Sequence, residues 1–275
     1  MEKNINYKIK MNNGNYIPQF GLGVYLAKKG RECRKAVTWA LETGYRQIDT
    51  ASSYGNEKDV GKAIRDSCIR REDIFVTTKL WNADHGYENT LKAFDKSLKT
   101  LKVDYVDLYL IHWPVKEKRK ESWKALEKIY ESGYCRSIGV SNYMINHLEE
   151  LFTYANTIPS LNQVEFSPFL YQKDLLDFCT RNKILLGAYA PLTRVKKFTD
   201  TTLQKLSKQL NKTVAQILIR WVIEHELVVT PKSVHKDRIF ENADVFDFNL
   251  DESQMKILDN LNEDFRSCWD PTTQD

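Results

Sequence analysis

The chain has 275 residues and a mass of 32.2 kDa, with 41 basic and 37 acidic residues and a net charge of +4. Hydrophobic residues make up 42% of it and charged residues 28%, close to globular averages, which excludes a disordered, collagen-like or coiled-coil chain. This length suits two ordinary domains or one barrel of alternating strands and helices. The small excess of positive charge gives no support to nucleic-acid binding.

Cysteine spacing and the lack of long apolar runs indicate the cellular compartment in which the protein works. Cysteines stand at 33, 68, 135, 179 and 268, an odd number without C-x-x-C spacing, so neither a disulfide framework nor a zinc ribbon is expected. The N-terminus carries no apolar signal segment, and no run of about 18 apolar residues exists. We therefore expect a soluble, cytoplasmic protein with no membrane partner.

The chain begins with the pattern of a β-hairpin and continues with alternating strands and helices. Tyr7, Ile9 and Met11 alternate with polar residues before the turn signal at 12–14. Eight short apolar runs then predict strands at 20–24, 45–48, 74–77, 106–111, 136–140, 161–164, 184–188 and 227–229. Amphipathic helical patterns lie between and after them, including 33–43, 123–130, 214–224 and 252–261.

Local residues mark several helix ends. Gly44 and Gly133 follow helical patterns and suit C-terminal caps, which favour left-handed backbone. Thr213 and Asp251 precede helical patterns and suit N-caps, because their side-chain oxygens accept from free backbone N–H groups.

Alternating strands and helices predict a parallel sheet, either an open doubly wound sheet or a closed barrel. The dinucleotide fold opens with G-x-G-x-x-G, but Gly21-Leu-Gly23 is followed by no third glycine. Eight strands without a break in composition favour a (β/α)8 TIM barrel. We predict a single domain over 1–275, with the hairpin at 1–18 capping the barrel bottom and a short tail from about 262.

Polar residues stand at the end of nearly every predicted strand: Asp49, Lys79, His112, Ser141, Asn142, Gln163, Glu165, Tyr189, Lys232 and Ser233. One such residue is more often a cap or a satisfied core group, but in a barrel all these ends converge on one pocket. The five histidines show no metal-site spacing and no G-x-S-x-G motif occurs, so no metal is expected. The residue set suits acid–base chemistry, and a redox reaction would need an external cofactor.

The segments 44–57 (GYRQIDTASSYGNE) and 230–242 (TPKSVHKDRIFEN) resemble two signatures of the aldo-keto reductase family. The shorter segments 78–81, 110–114, 139–142 and 162–165 match strand ends of the same family, in the same order. The resemblance runs from about residue 21 to 271. It implies a (β/α)8 barrel that reduces aldehydes and ketones with NADPH.

The resemblance implies four catalytic residues, Asp49, Tyr54, Lys79 and His112. Tyr54 would donate a proton to the substrate oxygen, and the Lys79 ammonium is expected to lower its pKa. Asp49 would hold Lys79 charged, and His112 would orient the carbonyl group. A steroid double-bond-reducing branch has glutamate in place of this histidine, so His112 argues against that activity.

The resemblance also implies where NADPH binds. Ser141, Asn142 and Gln163 would hold the carboxamide, with Tyr189 stacked on the nicotinamide ring. The other expected contacts to the cofactor are Gly23, Val24, Tyr25, Asp49, Ala190, Leu192, Lys232, Ser233, Val234, Arg238, Glu241 and Asn242.

Two of these residues are expected to select the cofactor. Lys232 and Arg238 would grip the 2′-phosphate together with Ser233, and Glu241 and Asn242 would lie at the adenine. Without the flanking motif, the two cations would instead suit a solvated helix start.

The wall of the substrate site is expected to consist of Tyr25, Trp81 and Trp113, although an isolated aromatic residue more often belongs to the hydrophobic core. The loop at 193–199 is short, and its basic residues Arg194, Lys196 and Lys197 would face the pyrophosphate. A short tail would leave the outer side of the pocket open to aromatic aldehydes and small dicarbonyls.

The chain is similar to compact microbial-type members of the family, which include glyoxal, diketogluconate and parasite prostaglandin F reductases. We expect a monomer acting on a small carbonyl compound, whose identity the sequence leaves open. The alternative is a binding or sensor protein, since some relatives keep the NADPH site while serving as ion-channel subunits.

Overall fold

The protein's structure, a computed structural model, describes residues 4–274. Its strands are β1 (Lys8–Lys10), β2 (Tyr16–Pro18), β3 (Leu22–Gly23), β4 (Gln47–Asp49), β5 (Phe75–Leu80), β6 (Leu108–Ile111), β7 (Ile138–Ser141), β8 (Leu161–Glu165), β9 (Leu185–Tyr189) and β10 (Val228–Val229). Its α-helices are α1 (Arg31–Thr43), α2 (Glu57–Asp66), α3 (Tyr87–Leu101), α4 (Arg119–Glu131), α5 (Ile145–Phe152), α6 (Lys173–Arg181), α7 (Thr201–Leu210), α8 (Val214–Glu224), α9 (Lys236–Ala243) and α10 (Glu252–Asp259). No helix within this described range is long and apolar enough to cross a membrane.

The eight strands from β3 to β10 are parallel and pair in chain order. Parallel bridges between Phe20 and Val229 and between Gly23 and Lys232 join the first strand to the last. The Gly21 amide also donates to the Val229 carbonyl at 2.9 Å. The sheet therefore closes on itself, which confirms the predicted barrel and excludes the open doubly wound sheet.

The N-terminal hairpin closes the lower end of this barrel. Its strands β1 and β2 pair antiparallel, and Gly14 in the turn has φ of 90°, a conformation that glycine adopts without strain. Met11 and Ile17 are buried in one apolar cluster with Phe75, Leu108 and Leu161, each of which begins a barrel strand. The predicted position of the hairpin, capping the barrel bottom, is confirmed.

The predicted helix ends are also found. Gly44 ends α1 in the left-handed conformation with φ of 108°. Gly133, two residues beyond α4, likewise has positive φ. Thr213 and Asp251 each cap a helix by accepting a hydrogen bond from a backbone amide three residues on. These local signals succeed because a cap depends on residues within one helical turn.

Three strands extend further than the apolar runs predict. β5 continues through Lys79, β8 through Glu165 and β9 through Tyr189. These three polar residues remain in the sheet because their side chains find hydrogen-bond partners at the C-terminal rim of the barrel. The strands therefore place these side chains directly at the site.

Gly61 sets the distance between α2 and α3. A Cβ atom at this position would lie 1.8 Å from the carbonyl oxygen of Leu101, the last residue of α3. The Arg65 guanidinium, one turn further along α2, donates to that same oxygen at 2.6 Å. The two helices therefore touch through backbone, and no side chain fits between them.

We expect Gly61→Ala to destabilise the protein. Alanine favours a helix by up to about 1 kcal/mol over glycine, but here its methyl group would force the two backbones apart, and overpacking typically costs about 1–3 kcal/mol. Urea unfolding should show a net loss of stability. Lys58→Ala, on the exposed side of the same helix, serves as the control and should change stability by less than about 0.5 kcal/mol. A stabilised Gly61→Ala variant would contradict this account of the helix contact.

Candidate active site

The predicted catalytic residues meet at the C-terminal rim of the barrel. Asp49 is the last residue of β4, Lys79 lies one residue before the end of β5, and His112 directly follows β6. Tyr54 ends a short 3-10 turn, Ser52–Tyr54, that begins two residues after β4. Neighbouring parallel strands end at the same level, so these four side chains face one space.

An ion pair between Lys79 and Asp49 lies at the base of this site. The Lys79 ammonium is fully buried and donates to Asp49 Oδ1 at 2.6 Å and to the Thr50 carbonyl at 2.9 Å. The Gln163 amide donates to the other carboxylate oxygen, Oδ2, at 2.9 Å. Strands β4, β5 and β8 thus contribute to one buried polar group, which a buried charge requires.

Tyr54 and His112 lie above this pair. The Lys79 ammonium is 5.2 Å from the centre of the Tyr54 ring. The Tyr54 and His112 rings are 5.6 Å apart and nearly perpendicular. The Ser52 hydroxyl donates to the Lys79 carbonyl at 2.9 Å and fixes the turn that carries Tyr54. The four predicted catalytic residues are therefore brought together.

The pKa of Tyr54 does not move in the direction expected from the sequence. Burial raises this pKa well above 10, and the Asp49 carboxylate raises it further. The expected lowering by Lys79 is not found because the ammonium is neutralised by its hydrogen-bonded carboxylate. Burial lowers the pKa of Lys79 itself, and Asp49 opposes that change. Tyr54 therefore keeps its proton at neutral pH.

His112 is neutral for a related reason. Burial lowers its pKa well below 6.5, and the nearby charge of Lys79 lowers it further. Its Nδ1 atom is 3.4 Å from the Ser53 hydroxyl. A hydroxyl that donates to Nδ1 leaves the ring proton on Nε2, so the ring can donate to an oxygen in the site.

The residues expected at the carboxamide form one hydrogen-bonded group. The Tyr189 hydroxyl donates to Asn142 Oδ1 at 2.8 Å. The Asn142 amide donates to the His112 carbonyl at 3.0 Å, and the Ser141 hydroxyl donates to the Gln163 carbonyl at 2.8 Å. These bonds position the side chains of Tyr189, Asn142 and Ser141, and the bond to Asp49 positions that of Gln163.

Asn142 itself has φ of 65°. Asparagine tolerates this left-handed conformation better than most residues with a side chain. The backbone there turns the amide back towards the strand ends.

The residues expected at the phosphate lie between β10 and α9. Lys232 follows Pro231, whose carbonyl accepts from the Gly23 amide at 3.1 Å, so this segment lies beside β3. Lys232 and Arg238 are exposed, while Ser233 and Asn242 are buried. Neither cation forms an ion pair with any residue of the range 4–274.

Other predicted cofactor residues have contacts inside the protein. The Glu241 carboxylate accepts from the Thr213 hydroxyl at 2.6 Å. Val24 is buried and its amide donates to the Asp49 carbonyl, and Val234 packs partly against the core. Ala190 follows β9 directly and has a positive φ of 48°, and Leu192 lies two residues further on.

Aromatic side chains surround the catalytic residues. The Tyr25 ring is 5.0 Å from the Tyr54 ring, and the Trp81 ring is 5.5 Å from the His112 ring. Trp113 is mostly buried and lies 6.2 Å from Trp269. Trp269 belongs to the tail, and no motif or periodicity in the sequence predicts its position beside the site.

The basic residues of the loop after β9 differ from the expectation. Lys197 forms an ion pair with Glu263, and its ammonium lies 4.4 Å from the Phe265 ring. Lys196 also lies over that ring, at 5.8 Å. Both side chains are directed to the tail because it offers a carboxylate and an aromatic face. Arg194 instead lies 5.8 Å from the Tyr25 ring, at the mouth of the site.

Comparison with known proteins identifies the family. The model of the Aldo/keto reductase family matches residues 21–263. The chain belongs to this family, whose members are oxidoreductases with this barrel. It is 48% identical over 258 residues to glyoxal reductase of Bacillus subtilis, covering 94% of each chain.

Two further relatives extend the comparison. The chain is 47% identical over 272 residues to the 9,11-endoperoxide prostaglandin H2 reductase of Trypanosoma cruzi, covering 98% of this chain and 96% of that one. The structure of a Bombyx mori aldo-keto reductase in complex with NADP is similar with a TM-score of 0.89. Its identity is 36%, over 95% of this chain and 94% of that one. The predicted family and fold are confirmed.

We expect the His112 ring to remain neutral in the folded protein well below its ordinary pKa of about 6.5. NMR of histidine-labelled protein should show no shift of the His112 ring signals between about pH 8 and pH 5.5, with His112→Gln assigning them. The same sample in concentrated urea should titrate normally. Because the unfolded chain takes up this proton first, stability should fall as pH drops below about 6.5. A folded-state midpoint near the ordinary value would contradict the burial argument.

Proposed function

We propose that this protein reduces aldehydes and reactive ketones to alcohols with NADPH, with Tyr54 as the proton donor. The observation that supports the proposal is the convergence of Tyr54, His112 and the buried Lys79–Asp49 pair at one barrel rim. A proton donor and a neutral hydrogen-bond donor above a fixed positive charge suit an oxygen that gains electron density.

The residues present fit NADPH. Asn142, Gln163 and Ser141 offer the amide and hydroxyl groups that a carboxamide pairs with, and Tyr189 offers an aromatic face. Lys232 and Arg238 are exposed cations on the segment after β10, which suits a phosphate dianion. The Bombyx mori relative in complex with NADP supports the same choice.

When bound, NADPH supplies a hydride. The residues of this chain supply the proton and hold the charge. The Tyr54 hydroxyl donates its proton to the substrate oxygen, and the His112 Nε2–H group donates a hydrogen bond to that oxygen. As Tyr54 loses its proton, the Lys79 ammonium, 5.2 Å from the centre of the Tyr54 ring, stabilises the phenolate. Asp49 keeps that ammonium charged and in place.

The aromatic residues at the mouth suggest the substrate class. Tyr25, Trp81 and Trp113 present flat apolar surfaces around the catalytic residues. Aromatic aldehydes and small dicarbonyls both fit such a wall. We further propose that the protein acts as a monomer and that it works in the cytoplasm.

Replacing Tyr54 with phenylalanine should remove turnover and leave NADPH binding unchanged. The ring and its packing remain, whereas a positioned acid contributes about 10²- to 10⁴-fold to rate. The measurements are NADPH oxidation with a nitrobenzaldehyde and NADPH affinity by fluorescence. Tyr25→Phe removes a hydroxyl from the neighbouring ring and should retain most of the activity. Reduction at the wild-type rate by the Tyr54 variant would show that another group supplies the proton.

The double variant Lys232→Ala/Arg238→Ala should lose NADPH affinity but keep its NADH affinity. Each charge-assisted hydrogen bond contributes about 1.5–3 kcal/mol, roughly ten- to a hundredfold in affinity. Titration with each cofactor measures the difference. Lys236→Ala removes another exposed cation from the same segment and should change neither affinity. Equal losses of affinity for both cofactors would show that these two residues do not bind the 2′-phosphate.

A further inference from the structure

The carboxylate of Glu165 binds the C-terminal tail. Glu165 ends β8 on the rim of the barrel and is only 3% exposed. Its Oε1 atom accepts from the Ser267 amide at 2.7 Å and from the Ser267 hydroxyl at 2.5 Å. Its Oε2 atom accepts from the Cys268 amide at 3.1 Å. Both oxygens of a buried carboxylate are therefore occupied by two successive residues of the tail.

This carboxylate depends on the tail. Within the part of the chain that the structure describes, no lysine, arginine or histidine forms an ion pair with Glu165. A buried carboxylate without donors is strongly unfavourable, and successive backbone amides form a known kind of anion-binding site. Release of the tail would leave the charge without these partners. The tail is thus fixed by the charge of Glu165 as well as by its own packing.

The fixed segment leads directly to the substrate side of the site. Trp269 follows Cys268, and its ring centre is 6.2 Å from that of Trp113, the residue after His112. Trp269 remains 67% exposed, so its position does not come from burial in the core. The expectation that a short tail leaves this side of the pocket open is therefore not met, because the tail folds back onto the rim.

We propose that Glu165 is a positioning residue that holds the tail as the outer wall of the carbonyl site. Held in this way, Trp269 packs against Trp113, and the two rings together form an apolar wall on which a flat aromatic carbonyl compound binds. A small dicarbonyl reaches Tyr54 and His112 without contacting Trp269. Glu165 therefore controls substrate preference and takes no part in proton transfer. This inference rests on the proposed reductase function.

The test compares Glu165→Gln with wild type on a nitrobenzaldehyde and on methylglyoxal. The amide keeps the size of the side chain but places an NH2 group against N–H donors of the tail. We expect KM for the nitrobenzaldehyde to rise about tenfold or more. The kcat for both substrates, KM for methylglyoxal and the Kd for NADPH should stay within about twofold. Asp264→Asn removes an exposed carboxylate from the same tail and should change none of these values.

A double-mutant cycle shows whether Glu165 acts through Trp269. Trp269→Ala should raise KM for the nitrobenzaldehyde as Glu165→Gln does, and the double variant should show no larger rise than the greater single effect. If the rises in KM of the two single variants multiply in the double variant, the two residues act separately and the proposal is overturned. An unchanged KM in folded Glu165→Gln would overturn it as well. So would a common fall in kcat and NADPH affinity, which would indicate a general structural role.

Limited proteolysis tests the tail without using activity. Trypsin should cleave after Arg266 several times faster in Glu165→Gln than in wild type. Ser267→Ala, which removes one of the three donors, should show a smaller increase and supports the same test if Glu165→Gln does not fold. Equal cleavage rates in all variants would overturn the proposed anchoring. Absence of turnover in wild type with both aldehydes would instead contradict the proposed function. The proteolysis result would still test the anchoring of the tail, because it does not depend on activity.

Discussion

The buried pair of Lys79 and Asp49 is the interaction on which the site depends. A fully buried ammonium is stable only if its charge is balanced and its protons are bound, and here the carboxylate and the Thr50 carbonyl do both. The second carboxylate oxygen requires the Gln163 amide from β8. Three strands must therefore stand in register before the charge can be buried. The closed barrel provides that register.

The same pair accounts for the protonation of the groups above it. Paired with Asp49, Lys79 gives Tyr54 little net positive field, so burial dominates and the pKa of Tyr54 rises. A lone ammonium would have lowered it, as the sequence alone had suggested. In the proposed reaction, the Lys79 ammonium faces the Tyr54 ring and partly offsets the negative charge that this ring gains when it loses its proton. In the proposed reaction, Tyr54 thus keeps its proton until the substrate oxygen accepts it.

The sequence predicts much of this arrangement because much of it is local. Strand ends follow from apolar runs, so Asp49 and His112 could be placed on one rim in advance, and helix caps follow from single residues. The tail contact could not be found in this way. Glu165 and Ser267 are separated by 102 residues, and no periodicity or motif links them. Trp269 likewise looks like an ordinary exposed aromatic until the fold brings it to Trp113.

In the proposed function, residues at this rim protonate the oxygen of a carbonyl group whose carbon receives a hydride from NADPH. The most direct test supplies NADPH carrying two deuterium atoms at C4 together with a nitrobenzaldehyde and analyses the product by mass spectrometry. The proposed reductase function predicts consumption of NADPH and a nitrobenzyl alcohol with one deuterium on its carbinol carbon. Tight NADPH binding without consumption, or an alcohol free of deuterium, would contradict it and favour a binding protein built on the same barrel.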